Sequence, residues 1–392
     1  MNHIKALSIP GLPIIVSYFD RACAELAEVL SKTQVSQHSL SETLEGSKDK
    51  SRRKNSSRVV YQNNCVIKIL LILLFVAGTQ AQNPNLGTAG AQFLKIPIGA
   101  RSAALGGAVT GMSSDATALF WNPAGIVKNH THSIHVSHIP WMTYFDINAI
   151  AYTLNLEEFG SLGFYARSLS MEKMEITTEI EPDGTGEYFD SQDLELGMSY
   201  ARQIIDQFSF GITTKYIRQR IWNETASGLA FDIGTLYSLE FQNASIAMAL
   251  RNFGPDLKMD GPDLLVFYDG AEEYDNRLIP SNMNTQAYPL PLIFQFGFGM
   301  DMINAPFFHS RLDVDIIHFN DNDEQILVGL ETAIAQRFML RGGYRFNQSE
   351  GQPSLGVGLH QRIDKMVLKL DYAFVLHEHL GDTRFLSMDI IF

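Results

Sequence analysis

Residues 365–376 alternate so strictly that only an extended strand between two different environments accommodates them. Met366, Leu368, Leu370, Tyr372, Phe374 and Leu376 fall on one face, and Lys365, Lys369 and Asp371 on the other. Residues 308–318 repeat the theme, with Leu312, Val314 and Ile316 opposite Arg311, Asp313 and Asp315, and so do residues 337–346, where Phe338, Leu340, Tyr344 and Phe346 oppose Arg337, Arg341 and Arg345. Marking every such run predicts fourteen strands, at 131–141, 144–156, 160–172, 190–203, 207–221, 225–239, 243–253, 289–302, 306–318, 324–335, 337–347, 353–362, 365–377 and 382–392. Most are far longer than the ~5–6 residues of a usual soluble strand. At about 3.3 Å per residue and with a tilt, they suit a bilayer.

The connections sharpen this reading. Those at 157–159, 204–206, 240–242, 303–305, 336 and 363–364 are short and fall at one end, whereas 173–189, 254–288, 319–323, 348–352 and 378–381 fall at the other and include the long ones. Connections 142–143 and 222–224 are short exceptions at the long-loop end. An even strand count with one-ended loops is the pattern of a bacterial outer-membrane barrel. A soluble sandwich also alternates but has shorter strands and no reason to segregate its loops. The chain closes in alternation on the aromatic Phe392, as terminal barrel strands do, and no apolar run reaches the ~20 residues of a spanning helix.

Ahead of the barrel the chain changes character. Residues 1–64 form no coherent unit. Ser51-Arg52-Arg53-Lys54 and Lys68 then supply positive charge, residues 69–77 a short apolar core, and Thr79-Gln80-Ala81 small residues at the positions a signal peptidase reads, so 65–81 is expected to be a signal peptide. Its internal position is expected to reflect a misassigned translation start, the alternative being an unusually long leading region. Cys23 and Cys65 both precede the expected cleavage, which leaves the mature chain without a disulfide or a cysteine metal site. Of the 30 Lys+Arg and 43 Asp+Glu, residues 1–81 hold 10 and 6, so the remainder carries a net charge of −17. That balance argues against nucleic acid as a partner.

Between leader and strands lies residues 99–125, GARSAALGGAVTGMSSDATALFWNPAG, which lacks alternation and is crowded with small side chains. Small residues allow close backbone approach, and the Gly and Asn-Pro signals forbid long regular elements. A compact irregular segment before a barrel reads as its stopper. The expected organisation is therefore an extension over 1–64, the signal peptide over 65–81, an N-terminal hatch over 82–130 inside the lumen, and an all-β transmembrane antiparallel barrel of about fourteen strands over 131–392.

Gly99-Ala100-Arg101-Ser102-Ala103-Ala104-Leu105-Gly106-Gly107-Ala108, with Asp115-Ala116-Thr117-Ala118 and Trp121-Asn122-Pro123-Ala124-Gly125, resembles the N-terminal signature of the PorV/PorQ family, which is related to the FadL-type outer-membrane transporters. The resemblance implies a hatch with an Asn-Pro-Ala turn and a place in type IX protein secretion, where the barrel receives cargo leaving the translocon and hands it to the surface attachment machinery. The FadL-type relatives imply the alternative, a channel for long-chain fatty acids or other hydrophobic compounds. Outer-membrane lipid, secreted cargo proteins and other secretion components are the implied partners, with a hydrophobic ligand under the alternative.

The individual residues have plain readings too. Arg101, the one charge in the first half of the hatch, is positioned to pin it to luminal acids such as Asp313, Asp315, Asp371 or Asp389. Asp115 suits a cap on the short helical turn that runs to Trp121, worth about 1 kcal/mol. His130, His132 and His138 share parity while His135 faces the other way, and with no acidic or Cys ligand beside them they predict no metal site; nor do His377 and His379. No nucleophile context such as G-x-S-x-G appears, so the chain does not read as an enzyme, and no cofactor is expected. Loop acids over 172–190 and 256–275 read as solvated. Inside the second of these loops the apolar run Leu264-Leu265-Val266-Phe267-Tyr268 is the best candidate for touching cargo, a partner barrel or a hydrophobic ligand. Trp141, Tyr144 and Trp222 fit an aromatic girdle.

Overall fold

The structure, a computed structural model, describes residues 85–128, 132–268, 279–347, 352–377 and 381–392. The expected extension and signal peptide, both cysteines, His130 and His379 lie outside the described residues. Fourteen long strands form one closed antiparallel barrel. They are β1 Ser133–Trp141, β2 Phe145–Asn155, β3 Ser161–Met171, β6 Ser191–Ile205, β7 Phe208–Ile221, β8 Glu224–Ser238, β9 Ser245–Phe253, β12 Ile293–Asn304, β13 Phe308–Phe319, β14 Gln325–Ile334, β15 Phe338–Phe346, β16 Gln352–Ile363, β17 Met366–Val375 and β18 Thr383–Ile391. Two small hairpins stand in the long loops, β4 Met174–Glu175 with β5 Tyr188–Phe189, and β10 Leu265–Tyr268 with β11 Ile279–Asn282. They are too short for alternation to announce them.

Each barrel strand lies within a few residues of its expected place. The largest shift is β12, which starts at Ile293 where alternation had placed residue 289. Pro289 and Pro291 cannot donate to a ladder, and this stretch bends over the lumen, where the Pro289 carbonyl accepts from Gly90 N at 3.0 Å and Leu290 is buried. The seam closes between β1 and β18, with Ser133 opposite Ile391 and His138 opposite Leu386. Just beyond it, His132 and Phe392 exchange two backbone hydrogen bonds of 3.0 Å and stack their rings at 5.6 Å. The terminal aromatic is thus a fastener of the seam.

Burial follows the parity read from sequence. In β13, Asp313 and Asp315 are buried while Val314 and Ile316 are only half-buried, and in β17 Asp371 and Ala373 are buried between exposed Leu370 and Tyr372. A polar interior with an apolar exterior inverts a soluble protein and is what a lipid-embedded barrel requires.

Residues 89–127 are almost all buried. A five-residue helix, Ala100–Ala104, packs against β15, β16, β17 and β18, a 3₁₀ turn at Ala116–Phe120 against β1, β2 and β3, and another at Pro123–Lys128 against β6, β7 and β8. One short segment that touches several arcs of a closed barrel lies within it. Its path has a direction. Gly87 N donates to the Asp321 carbonyl at 3.1 Å and Gln92 Nε2 to the Asp321 carboxylate at 2.7 Å, both at the long-loop end, whereas Lys128 precedes the start of β1 at the short-turn end.

Candidate functional site

The luminal segment is stitched first to itself. Gly99, Gly106 and Gly107 have φ of 89°, 64° and 88°, a region that side chains other than glycine avoid, and they bracket the Ala100–Ala104 helix. Asp115 caps the 3₁₀ turn, accepting from Thr117 N at 3.1 Å and from the Thr117 hydroxyl. Asn122 is fully buried and satisfied on both sides of its amide. Its Nδ2 donates at 3.1 Å to the carbonyls of Thr110, in the segment, and Thr235, in β8, and its Oδ1 accepts from Ala124 N at 3.1 Å. Gly125 lies so close to the Ser113 carbonyl that a side chain would collide with it. Trp121 is buried, its indole N–H 3.4 Å from the Ile98 carbonyl, with the Arg251 guanidinium 5.1 Å over its ring.

Charge fixes the first half to the wall. Arg101 donates from Nε and Nη2 to the two oxygens of Glu331 at 2.9 and 2.8 Å. This partner replaces the four acids expected for it, each of which is engaged elsewhere. Asp313 meets Arg311, Asp371 meets Arg341 at 2.6 Å, and Asp389 bonds His135 Nδ1 at 2.8 Å. Asp315 does bind the segment, but through its backbone and a hydroxyl, accepting from Val109 N at 3.0 Å, Thr110 N at 2.9 Å and Thr110 Oγ1 at 2.7 Å. The Asp389 contact also corrects the expectation that no carboxylate accompanies the histidines. It neighbours the buried His135, while His138 stands exposed on the outer face.

Asp115 joins this network, 3.4 Å from Lys369 Nζ and 3.7 Å from Arg101 Nη1. Burial alone favours its protonated form, but Lys369 and Arg101 outweigh that and hold its carboxyl below the ordinary carboxylate range. Burial likewise opposes the charge on Arg101, and Glu331 and then Asp115 overcome it, holding the guanidinium above its usual value.

Shape fixes both halves as well. Seven wall glycines face the segment, Gly163, Gly211, Gly234, Gly297, Gly329, Gly343 and Gly356, and a Cβ at any of them would fall under 3.0 Å from its atoms. Gly234 lies against Asn122 and Pro123, Gly211 against Pro123 and Ala124, and Gly343 against Leu105 and Gly106. The motif and the wall are two halves of one fit. Neither Glu331 nor these glycines emerged from reading the sequence, although strand parity marks both. Glu331 shares the inner face of β14 with Leu327 and Gly329, and a glycine inside a strand signals close backbone approach.

The second region is the loop between β9 and β12. Its stem is anchored, since Leu257 and Leu290 are buried in one cluster with Phe93 and Leu94 of the luminal segment and Ile217 of β7. Its tip is the β10–β11 hairpin, which holds four of the five apolar residues expected to make contacts. Leu265 is 53% and Phe267 60% exposed, Leu264 and Val266 are half-buried, and Tyr268 pairs with Ile279 through the backbone. Ile279 and Met283 add further exposed apolar surface. Trp141 continues the inward parity of Ser137 and Ile139, packing on the luminal core and edge-on against His377, so it does not join the expected girdle, whereas Tyr144 and Trp222 are exposed at the loop end.

No curated protein matches the sequence significantly. Among solved structures, the toluene transporter TbuX of Ralstonia pickettii is similar at 11% identity over 75% of this chain and 97% of that one, with a TM-score of 0.49. A FadL homologue of Pseudomonas aeruginosa is similar at 9% identity over 75% and 98%, with a TM-score of 0.48. The sequence profile of the family described as type IX secretion system protein PorV matches residues 79–283. With that match across more than half its length, the chain belongs to the PorV family and is an outer-membrane β-barrel of type IX secretion.

Proposed function

We propose that the barrel serves as a receiving platform for exported protein, gripping it at the outer face with the β10–β11 hairpin while residues 82–130 keep the lumen shut as a hatch. The observation that carries this reading is the apolar tip on an anchored stem. Leu265, Phe267, Ile279 and Met283 are exposed at the loop end, on a loop whose base is buried against the luminal segment. Exposed apolar clusters of this kind mark contact sites, and a fixed base lowers the ordering cost of using one. The partners are then secreted cargo, the other secretion components that deliver or collect it, and the surrounding lipid.

The test is quantitative proteomics of the culture medium and cell surface in a strain whose only copy carries Leu265→Ser and Phe267→Ser. Retention in the periplasm of a set of secreted proteins sharing one type of carboxy-terminal domain supports the reading. An unchanged secretome rejects the hairpin as the grip, and an unchanged secretome on deleting the whole gene rejects the secretion role for this chain.

One observation favours passage of a hydrophobic compound instead. β8 pairs with β9 only from Phe231 to Ser238, so its outer stretch is flanked by the 254–292 loop, and the buried residues there are apolar, Leu257, Leu290, Ala226 and Ala230. Straight passage along the axis meets Arg341, Glu331 and Asp371 beneath the hatch. A compound would have to leave sideways, and uptake of a labelled hydrophobic compound that persists in Leu257→Asp would exclude that route.

A further inference from the structure

The β10–β11 hairpin has two edges, and they are not alike. Met283 N donates to the Leu264 carbonyl at 2.8 Å, which makes these two residues a hydrogen-bonded pair. The register then makes Val266 with Ser281 and Tyr268 with Ile279 hydrogen-bonded pairs as well. Leu265 with Asn282 and Phe267 with Pro280 are the alternate pairs, whose main-chain groups point away from the ladder. On β11 one of these outward positions belongs to Pro280, which has no N–H and so blunts that edge. On β10 they belong to Leu265 and Phe267. The Leu265 N–H turns back to the Pro262 carbonyl, but among the described residues nothing meets the Leu265 carbonyl or the Phe267 N–H and carbonyl. One edge is closed and the other is open.

We infer that the open edge of β10 is a template on which an extended segment of an exported protein adds as a third strand. This rests on the reading of the hairpin as the grip, and says how the hairpin grips. Unpaired N–H and C=O groups along a strand are matched by one kind of partner, a chain that is itself extended and has an edge of its own free. Side chains alternate across a sheet, so the added strand places every second residue on the face of Leu265 and Phe267, which are exposed and apolar. Those residues of the partner are therefore apolar. The connection from β9 to β12 carries seven acidic residues against Lys258 and Arg277, with Asp263 two positions ahead of β10. The intervening residues of the partner are therefore basic. Main-chain pairing reads conformation more than sequence, which suits a platform that receives more than one exported chain.

The test uses the full chain in detergent micelles, with empty micelles as the blank, and a short fluorescent probe peptide that alternates valine and lysine. Its anisotropy should rise on binding, and a probe N-methylated along its backbone should bind at least about tenfold more weakly, a loss of ~1.4 kcal/mol. Phe267→Pro removes the outward N–H at a position where the ladder loses no bond, and it should show the same loss with the unmodified probe. Phe267→Leu should retain binding. Heat-modifiable migration on gels checks that each variant is a folded barrel, and if Phe267→Pro does not fold, the N-methylated probe decides alone. No binding of the probe above the blank, equal binding of the N-methylated probe, or native affinity in folded Phe267→Pro would each overturn the open edge. So would native chains that associate with one another and separate in Phe267→Pro, since the edge would then pair copies of this chain. Secretion separates the two levels. Exported proteins retained in the strain with Leu265→Ser and Phe267→Ser, but released normally with Phe267→Pro, reject the third strand and leave the grip standing, whereas normal release in both strains rejects the grip itself.

Discussion

The two halves of the luminal segment are held by different physics. Residues 99–115 carry two charged side chains and are tied by charge, through Arg101 to Glu331, Asp115 to Lys369, and the Val109 and Thr110 amides to Asp315, on top of a close fit against Gly297, Gly329, Gly343 and Gly356. Residues 116–127 contain no charged side chain and are held by the Asn122 amide, by Arg251, which donates to the Phe120 carbonyl at 2.9 Å, and by close contact with Gly163, Gly211 and Gly234. Ties made by the segment's own charges can be loosened by altering one partner or by titration, whereas a fit of shape yields to an atom put in its way. The luminal segment therefore has a half that a change of charge can loosen and a half that is wedged without charges of its own, and the contrast can be broken at each end.

The largest effect is expected from Gly234→Val. A side chain there would overlap Asn122 and Pro123, so the wedged half cannot seat while the barrel itself remains closed. Planar-bilayer recordings should show steady ion conductance, against a silent wild type. Arg101→Met comes next. It leaves Glu331 facing Arg341 alone and should weaken seating of the first half by about 3 kcal/mol, the low end for breaking a buried pair because both groups keep some solvent. A cysteine introduced at the buried Ser102 should then react with a small thiol reagent, while one introduced at Ala124 should stay protected. Equal reactivity at both sites would mean that the two halves move as one.

Asn122→Ala should cost about 1–3 kcal/mol, since it strands the buried Thr110 carbonyl and removes a donor from the half-buried Thr235 carbonyl. Its signature is the reverse of Arg101→Met, with exposure at position 124 ahead of position 102. The smallest effect is that of pH. Asp115 has a depressed pKa in the folded state, so its contribution is complete above the unfolded carboxylate value near ~4 and is lost as pH falls through the lower folded value. The Asp115 share of the protection at position 102, read as the difference between the native chain and Asp115→Asn, should be flat from about pH 8 to 5 and decline only in stronger acid, while position 124 shows no such share.

These two kinds of attachment also differ in how far they can be read from sequence. Barrel strands were legible because one side meets lipid and the other a polar lumen, an environment that forces period two on every strand. Asp115 was legible as a cap because a cap is local. The partner of Arg101 was not, because parity makes every inward acid on several strands equally eligible, and choosing Glu331 among them requires the three-dimensional stagger of the barrel. The wall glycines were invisible for a related reason. A glycine in a strand reports that something approaches, and only the folded chain tells what. The start of β12 was misplaced by alternation because Pro289 and Leu290 carry a strand-like pattern while serving as part of a cap over the lumen.

The direction in which the luminal segment threads the barrel bears on how such a molecule can be made. Its leading residues, near Gly87, are at the loop end, and only three residues separate Lys128 from His132 at the opposite mouth. The first and last barrel strands, β1 and β18, form the seam. A finished ring could not be loaded afterwards without drawing the leading end through its whole bore. A trough still open between β1 and β18 would spare it that passage, with the luminal segment serving as the mandrel on which the wall is rolled.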